Sequence, residues 1–223
     1  MNAMKLAAPL LVALAYGPAQ GLAVPILGTE LASFAVLGAS AVTNVPTSTI
    51  FGNVGVSAGT SITGFTTPVT GVPTLDATGQ VTGGALHAAT SLAASAQVQL
   101  DAAILTLNNT TLFPSTGALL GDISGTYGPG NYDGGAGLLA TALVLDGAGS
   151  DSAVWVFRFT STLTTSTTST FTVQNVGDGS NVGIYWVVGD AATLNGPSFA
   201  GNVLASAAIT SDGFLTLGCG RLL

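Results

Sequence analysis

Glycine, proline, asparagine and aspartate cut this chain into short pieces. Between the cuts lie apolar or alternating runs: FAVLG at residues 34–38, GNVGVS at 52–57, SITGF at 61–65 and ALVLDG at 142–147. VWVFRF at 154–159, TFTVQN at 170–175 and GIYWVVG at 183–189 continue the series. Their length and their β-branched and aromatic content read as strands. Asn195-Gly196 and Asp212-Gly213 occur, but neither joins two matched alternating strands, so a hairpin-built sandwich is a poor fit. The pieces also look alike. Similar short strands without hairpin turns point to a solenoid, whose coils each contribute parallel strands.

One segment departs from this pattern. Residues 85–107, ALHAATSLAASAQVQLDAAILTL, contain neither Gly nor Pro and are rich in the helix formers Ala and Leu. Leu86, Ala89, Ala93, Ala96, Leu100, Ala103, Ile104 and Leu107 recur at steps of three and four, giving one apolar stripe. The spacing predicts a single helix over about 85–107, with Gly83-Gly84 before it and Asn108-Asn109 after it. Its many alanines suit close packing on a flat sheet. The fold class expected is therefore mainly β, a solenoid with one long α-helix alongside.

Only 6% of the residues are charged, and 3 Lys+Arg against 10 Asp+Glu give a net charge of -7. So few cations cannot form a phosphate-binding footprint, which excludes nucleic acid and disfavours anionic lipid surfaces. The mean hydropathy of +0.63 is high. Beyond the N-terminus, however, no apolar run reaches the roughly 20 residues of a spanning helix. The N-terminus itself reads as a secretory signal over residues 1–21: Lys5, then the apolar stretch Leu6 to Tyr16, then small residues at Ala19 and Gly21. Residues 22–223 are expected to form one secreted, extracellular, monomeric domain. The single cysteine, Cys219, precludes an internal disulfide.

The same scarcity bears on chemistry. His87 is the only histidine, expected at a surface or interface in the first helical turn. Alone it supports neither a His-containing metal site nor a Ser-His-Asp arrangement. Asp122, Asp133, Asp146, Asp151, Asp178, Asp190 and Asp212 lie beside turn residues, where capping accounts for them. No catalytic residue, metal ligand or cofactor is expected, and the chain does not read as an enzyme. Trp155 and Trp186 are expected in the core. Were they exposed in a row, they would instead favour a carbohydrate-binding or adhesive module.

A triplet recurs. Thr60-Ser61-Ile62-Thr63, Ser161-Thr162-Leu163-Thr164, Ala192-Thr193-Leu194-Asn195 and Ala207-Ala208-Ile209-Thr210 each read small, small, aliphatic, then Thr or Asn. Alternate strand residues face opposite ways. With Ile62, Leu163, Leu194 and Ile209 inside, the outward pairs are Ser61/Thr63, Thr162/Thr164, Thr193/Asn195 and Ala208/Thr210. Stacked as rungs about 4.8 Å apart, they predict a flat, uncharged grid of hydroxyls and methyls. Such a grid lacks a cation to grip a carboxylate or phosphate, but it can order water, with methyls favouring a water cage that hydroxyls anchor.

These motifs carry a family likeness. The chain resembles the secreted ice-binding proteins of cold-living microbes across LGTELASFAVLGASAVTNV (27–45), FGNVGVSAGTSITGF (51–65), the Ala-rich helix, residues 119–165 and residues 181–210. The resemblance implies a right-handed β-helix of triangular section whose coils stack out of chain order, and adsorption to ice through one flat face. The family's loose T-A/G-x-T/N pattern falls on Thr60, Ser61 and Thr63; on Ser161, Thr162 and Thr164; and on Thr193, Asn195, Ala208 and Thr210. The family pattern also continues past a segment of the kind at residues 209–223 with a further strand, so the resemblance implies that a C-terminal strand is missing here, either by truncation or because the end of the solenoid is left open.

Overall fold

The computed structural model describes residues 26–45, 48–211 and 215–223. The expected signal, residues 1–21, and the capping role expected of Asp212 lie outside the described residues. After a short helix α1 (Thr29–Ala32), the chain runs through β1 (Phe34–Gly38), β2 (Ala41–Thr43), β3 (Ile50–Phe51), β4 (Asn53–Val56), β5 (Ser61–Thr63), β6 (Val81–Thr82) and β7 (Leu86–Ala88). The long helix α2 (Ser91–Leu107) follows. The second half holds β8 (Gly117–Leu119), β9 (Gly125–Tyr127), β10 (Gly130–Gly134), β11 (Gly137–Leu139), β12 (Ala142–Asp146), β13 (Val154–Phe159) and β14 (Leu163–Thr165). It ends with β15 (Thr170–Gln174), β16 (Gly183–Val188), β17 (Ala192–Leu194), β18 (Ser198–Ala205), β19 (Ile209–Ser211) and β20 (Thr216–Leu222).

The strands form a three-faced parallel solenoid. The helix-side sheet has nine strands in the order β7-β4-β1-β20-β18-β16-β13-β10-β8. A second face carries β11-β14-β17-β19 and, in the N-terminal coils, β2-β5. The third carries β9-β12-β15 and β3-β6. Chain order is broken where β1 pairs with β20, Val36 beside Leu222. The N-terminal coils thus stack on the last strand of the chain, as the family likeness implies. Arg221 on β20 fastens this junction by donating two hydrogen bonds to the Ala32 carbonyl, at 3.1 and 2.7 Å.

The helix-side sheet is buried on both faces, which explains why VWVFRF and GIYWVV read as almost continuous apolar runs. Trp155, Phe157, Phe159, Trp186 and Val188 point into the solenoid, while Val156, Val187 and Leu204 point out against α2. Inside, aromatic rings climb from rung to rung. Tyr132 stacks on Phe157 at 5.3 Å, Phe157 on Trp186 at 4.3 Å, and Trp186 meets Phe199 at 4.8 Å. Both indoles are fully buried, and their N–H groups donate to the carbonyls of Tyr127 and Ala200. No tryptophan platform for sugar faces solvent.

The helix begins later than its composition predicts. Leu86–Ala88 pair with β4 as a strand, and Ala89 adopts φ 49°, in the left-handed region that ends the extended run. Thr90 then caps α2, its hydroxyl accepting the Ala93 N–H at 3.2 Å. From there the stripe Ala93, Ala96, Leu100, Ala103 and Leu107 is buried as expected. His87 therefore sits in β7 and not in a helical turn. It is 4% exposed, between Thr90 Oγ1 at 3.1 Å and Asn53 Oδ1 at 3.3 Å, and burial pushes its pKa down.

Candidate functional site

Two of the three faces are unsuited to meeting an extended ordered surface. The helix-side sheet is covered by α2. On the third face, register aligns Val144 with Thr172 and Asp146 with Gln174. The Asp146 carboxylate stands in the outer rows there, accepting amide N–H groups of Gln174 at 3.0 Å and Asn175 at 2.9 Å. A hydrated carboxylate among its partners breaks any apolar plane.

The second face differs. Register places Leu138, Thr164, Thr193 and Thr210 side by side. By strand alternation the neighbouring outward row is Ala136, Thr162, Ala191 and Ala208. Beneath them Leu139, Leu163, Ala192 and Leu194 are buried, and Ile209 packs on the same core. Small residues outside and aliphatic anchors inside follow from the alternation of the triplets. The N-terminal coils repeat the design: Ala41, Val42 and Thr43 align with Ser61, Ile62 and Thr63, with Ile62 buried and the Thr63 hydroxyl donating to Thr43 Oγ1 at 3.3 Å. Because β2 and β5 follow β1 and β4 just as β14 follows β13, both patches lie on the same side of the solenoid.

The structure thus brings Ser61, Thr63, Thr162, Thr164, Thr193, Ala208 and Thr210 onto one face. Thr60 and Ser161 stand just before β5 and β14, at the corners. Asn195 is engaged elsewhere. The Thr165 hydroxyl donates to its carbonyl at 2.6 Å, and the Asn195 amide donates back to the Thr165 carbonyl at 2.9 Å. The alignment of Leu194 with Leu163 does not hold either. Ala192 pairs with Leu163 and Ile209, so Leu194 falls beside the buried Thr165, and the outward residue that accompanies Thr193 along its own strand is Ala191. Ala41, Thr43 and Ala191 were not among the predicted residues. Ala41-Val42-Thr43 has the same small–aliphatic–threonine signature and was readable by it.

Two features break the expected unbroken grid. β20 stands between β18 and β1 in the helix-side sheet, yet among the described residues no strand joins β19 to β2. The face is therefore two patches with one strand position between them. That position lies within the stack and not at either axial end, where β7 and β8 stand. The second feature is charge. Asp122 bridges to Leu138, which puts an exposed carboxylate in line with the threonine row, against the expectation of an uncharged plane.

Other acidic residues have structural partners. Asp178 caps the Ser180 N–H at 2.9 Å, and Asp151 accepts the Asp178 N–H at 3.0 Å. Asp133 is no turn residue: it lies in β10 and pairs with Arg158 at 2.5 Å. Among the described residues no cluster of His, Cys, Asp and Glu has the makeup of a metal site.

A helix-flanked parallel solenoid with one bare face of hydroxyls and methyls defines a surface-binding protein, built around a plane and not a cleft. The chain belongs to the ice-binding-like family, whose model matches residues 36–223. It is 36% identical over 209 residues to an ice-binding protein of Nostoc sp. (strain HG1), covering 92% of this chain and 71% of that protein. It is 32% identical over 222 residues to ice-binding protein K3-B1 of Typhula ishikariensis, covering 94% and 88%. Its fold is similar to the crystal structure of an ice-binding protein from the Antarctic ascomycete Antarctomyces psychrotrophicus. The TM-score is 0.74 at 32% identity, over 87% of this chain and 89% of that one.

Proposed function

We propose that this protein is secreted and adsorbs to ice through the second face, on Thr164, Thr193 and Thr210 with Thr162, Ala191 and Ala208, and on Thr43 and Thr63 with Ala41 and Ser61. The observation that carries this reading is the in-register threonine row above an aliphatic layer that is buried beneath β14 and β17 and partly buried beneath β19. Parallel strands space the hydroxyls about 4.8 Å apart, near the oxygen repeat of ice. Methyl groups favour caged water, hydroxyls anchor it, and the ordered layer merges with the crystal. Ice then bulges between adsorbed molecules, which depresses freezing and slows recrystallisation. Adsorption makes and breaks no covalent bond, so the reading assigns no catalytic residue and no cofactor.

Thr193→Glu tests this reading. A carboxylate in the middle of the row cannot shed its water cheaply. The variant is expected to lose thermal hysteresis and crystal shaping while its circular dichroism stays unchanged. Full activity in that folded variant places the contact on another face.

A further inference from the structure

The outward rows on the second face change character at the β11 end. The threonine row runs Thr210, Thr193, Thr164, then Leu138 and Asp122. Alternation continues the companion row as Ala208, Ala191, Thr162, Ala136 and Leu120. Leu120 is 93% exposed and Leu138 44%. Hydroxyls and methyls thus give way within two rungs to a carboxylate and two leucines.

A shallow, open depression lies at the same place, lined by Gly121, Asp122, Gly137 and Leu138 and reaching Thr162 and Thr164. Gly121 has φ +96°, and a Cβ placed on it would touch nothing within 4 Å. The Asp122 carboxylate is held charged, since hydrogen bonds from the Ser124 hydroxyl and backbone N–H push its pKa down. A charged carboxylate loses strongly favourable hydration if pressed against an ordered apolar plane.

We infer that Asp122 and Leu138 set the boundary of the ice-contacting plane, limiting adsorption on this side to the rungs from β14 onward. This rests on the second face being the ice-binding one, and it names residues that fix the extent of that contact. The boundary has two consequences. An added charge beyond it changes little, and converting the boundary rung to the chemistry of the plane extends it.

The experiment compares thermal hysteresis at equal molar concentration for the full chain and three variants, each checked by circular dichroism. Leu138→Glu adds charge on the boundary rung and is expected to match the parent, whereas Thr164→Glu, one rung inward, loses activity. Asp122→Asn keeps an acceptor for the Ser124 N–H while removing the charge. Combined with Leu138→Thr, it is expected to raise hysteresis above the parent. Loss of activity in Leu138→Glu equal to that in Thr164→Glu overturns the boundary, as does a double variant no more active than the parent. Retained activity in Thr164→Glu overturns the choice of face itself, so the two failures are distinguishable.

Discussion

Arg158, on β13, donates a hydrogen bond at 3.1 Å to the carbonyl of Leu107, the last residue of α2. The same nitrogen reaches the Phe113 carbonyl at 2.9 Å, while the other guanidinium nitrogens hold Asp133 as a fork. One cation therefore satisfies carbonyls that the helix end leaves without a partner and binds the helix to the sheet it covers. Arg221 does the equivalent for α1 through the Ala32 carbonyl. Both described arginines are spent on joining helices to strands, which leaves neither on the threonine face.

Arg158→Met is accordingly expected to destabilise the fold by about 1.5–3 kcal/mol, through the lost charge-assisted hydrogen bonds to two carbonyls and to the half-exposed Asp133. Arg158→Lys recovers only part of this, because an ammonium cannot reproduce the fork to Asp133 while also reaching two carbonyls. Thermal unfolding followed by circular dichroism checks both. Hysteresis measured well below the melting point is expected to stay intact, since the contact face is not touched.

Trp186 makes a different contribution. It is fully buried between Phe157 and Phe199, and its indole N–H donates to Ala200 at 2.9 Å. Trp186→Ala removes the middle of the aromatic column and leaves a cavity, at a cost of about 3–5 kcal/mol. Trp186→Phe keeps most of the stacking but strands the Ala200 carbonyl, so a smaller loss is expected. Denaturant unfolding of the two variants separates packing from the hydrogen bond.

Asp76 governs acid behaviour. Its carboxylate accepts N–H groups of Thr66, Thr78, Gln80 and Val81 at 3.0–3.2 Å, and the Thr78 hydroxyl. Burial pushes its pKa up, but the hydrogen bonds from Thr78, Thr66 and Val81 outweigh this and hold it well below the usual carboxylate range. A depressed pKa means that the folded state resists protonation. The resulting stability is complete above the unfolded carboxylate value near 4 and drains away as the pH falls below it. Melting curves between pH 5 and pH 2 are expected to show this decline in the parent chain. Asp76→Asn starts less stable at pH 7 and shows a shallower acid decline. Equal slopes would mean that Asp76 carries no proton linkage.

The strands were legible because their alternation and turn punctuation are local properties. The packing of Trp155 and Trp186 was legible for the same reason. Register was not: pairing Leu163 with Leu194 or with Ala192 both keep an aliphatic side chain inside, because a slip of two residues preserves the inward set. The start of α2 was hidden because Leu86–Ala88 carry no Gly or Pro to mark them as a strand. What separates them from the helix is the left-handed backbone of Ala89. Asp133 looked like a turn residue since its partner Arg158 is 25 positions away. Asp122 joins the threonine row through an isolated bridge to Leu138, a contact with no sequence period behind it.

The two patches of the proposed contact face are not equivalent, which gives the last prediction. The patch on β14, β17 and β19 presents threonines in register on three successive strands, whereas that on β2 and β5 presents two strands. Adsorption strength grows with the area that orders water, so the larger patch contributes more. Thr162→Glu is expected to remove most of the hysteresis. Thr63→Glu, which also loses the hydrogen bond to Thr43, is expected to lower it while leaving a measurable gap between melting and freezing. The comparison is made on folded protein at matched concentration, with crystal shape recorded beside the hysteresis. Abolition by Thr63→Glu alone, with Thr162→Glu unaffected, would place the contact on the N-terminal coils and make the longer threonine row a structural feature only.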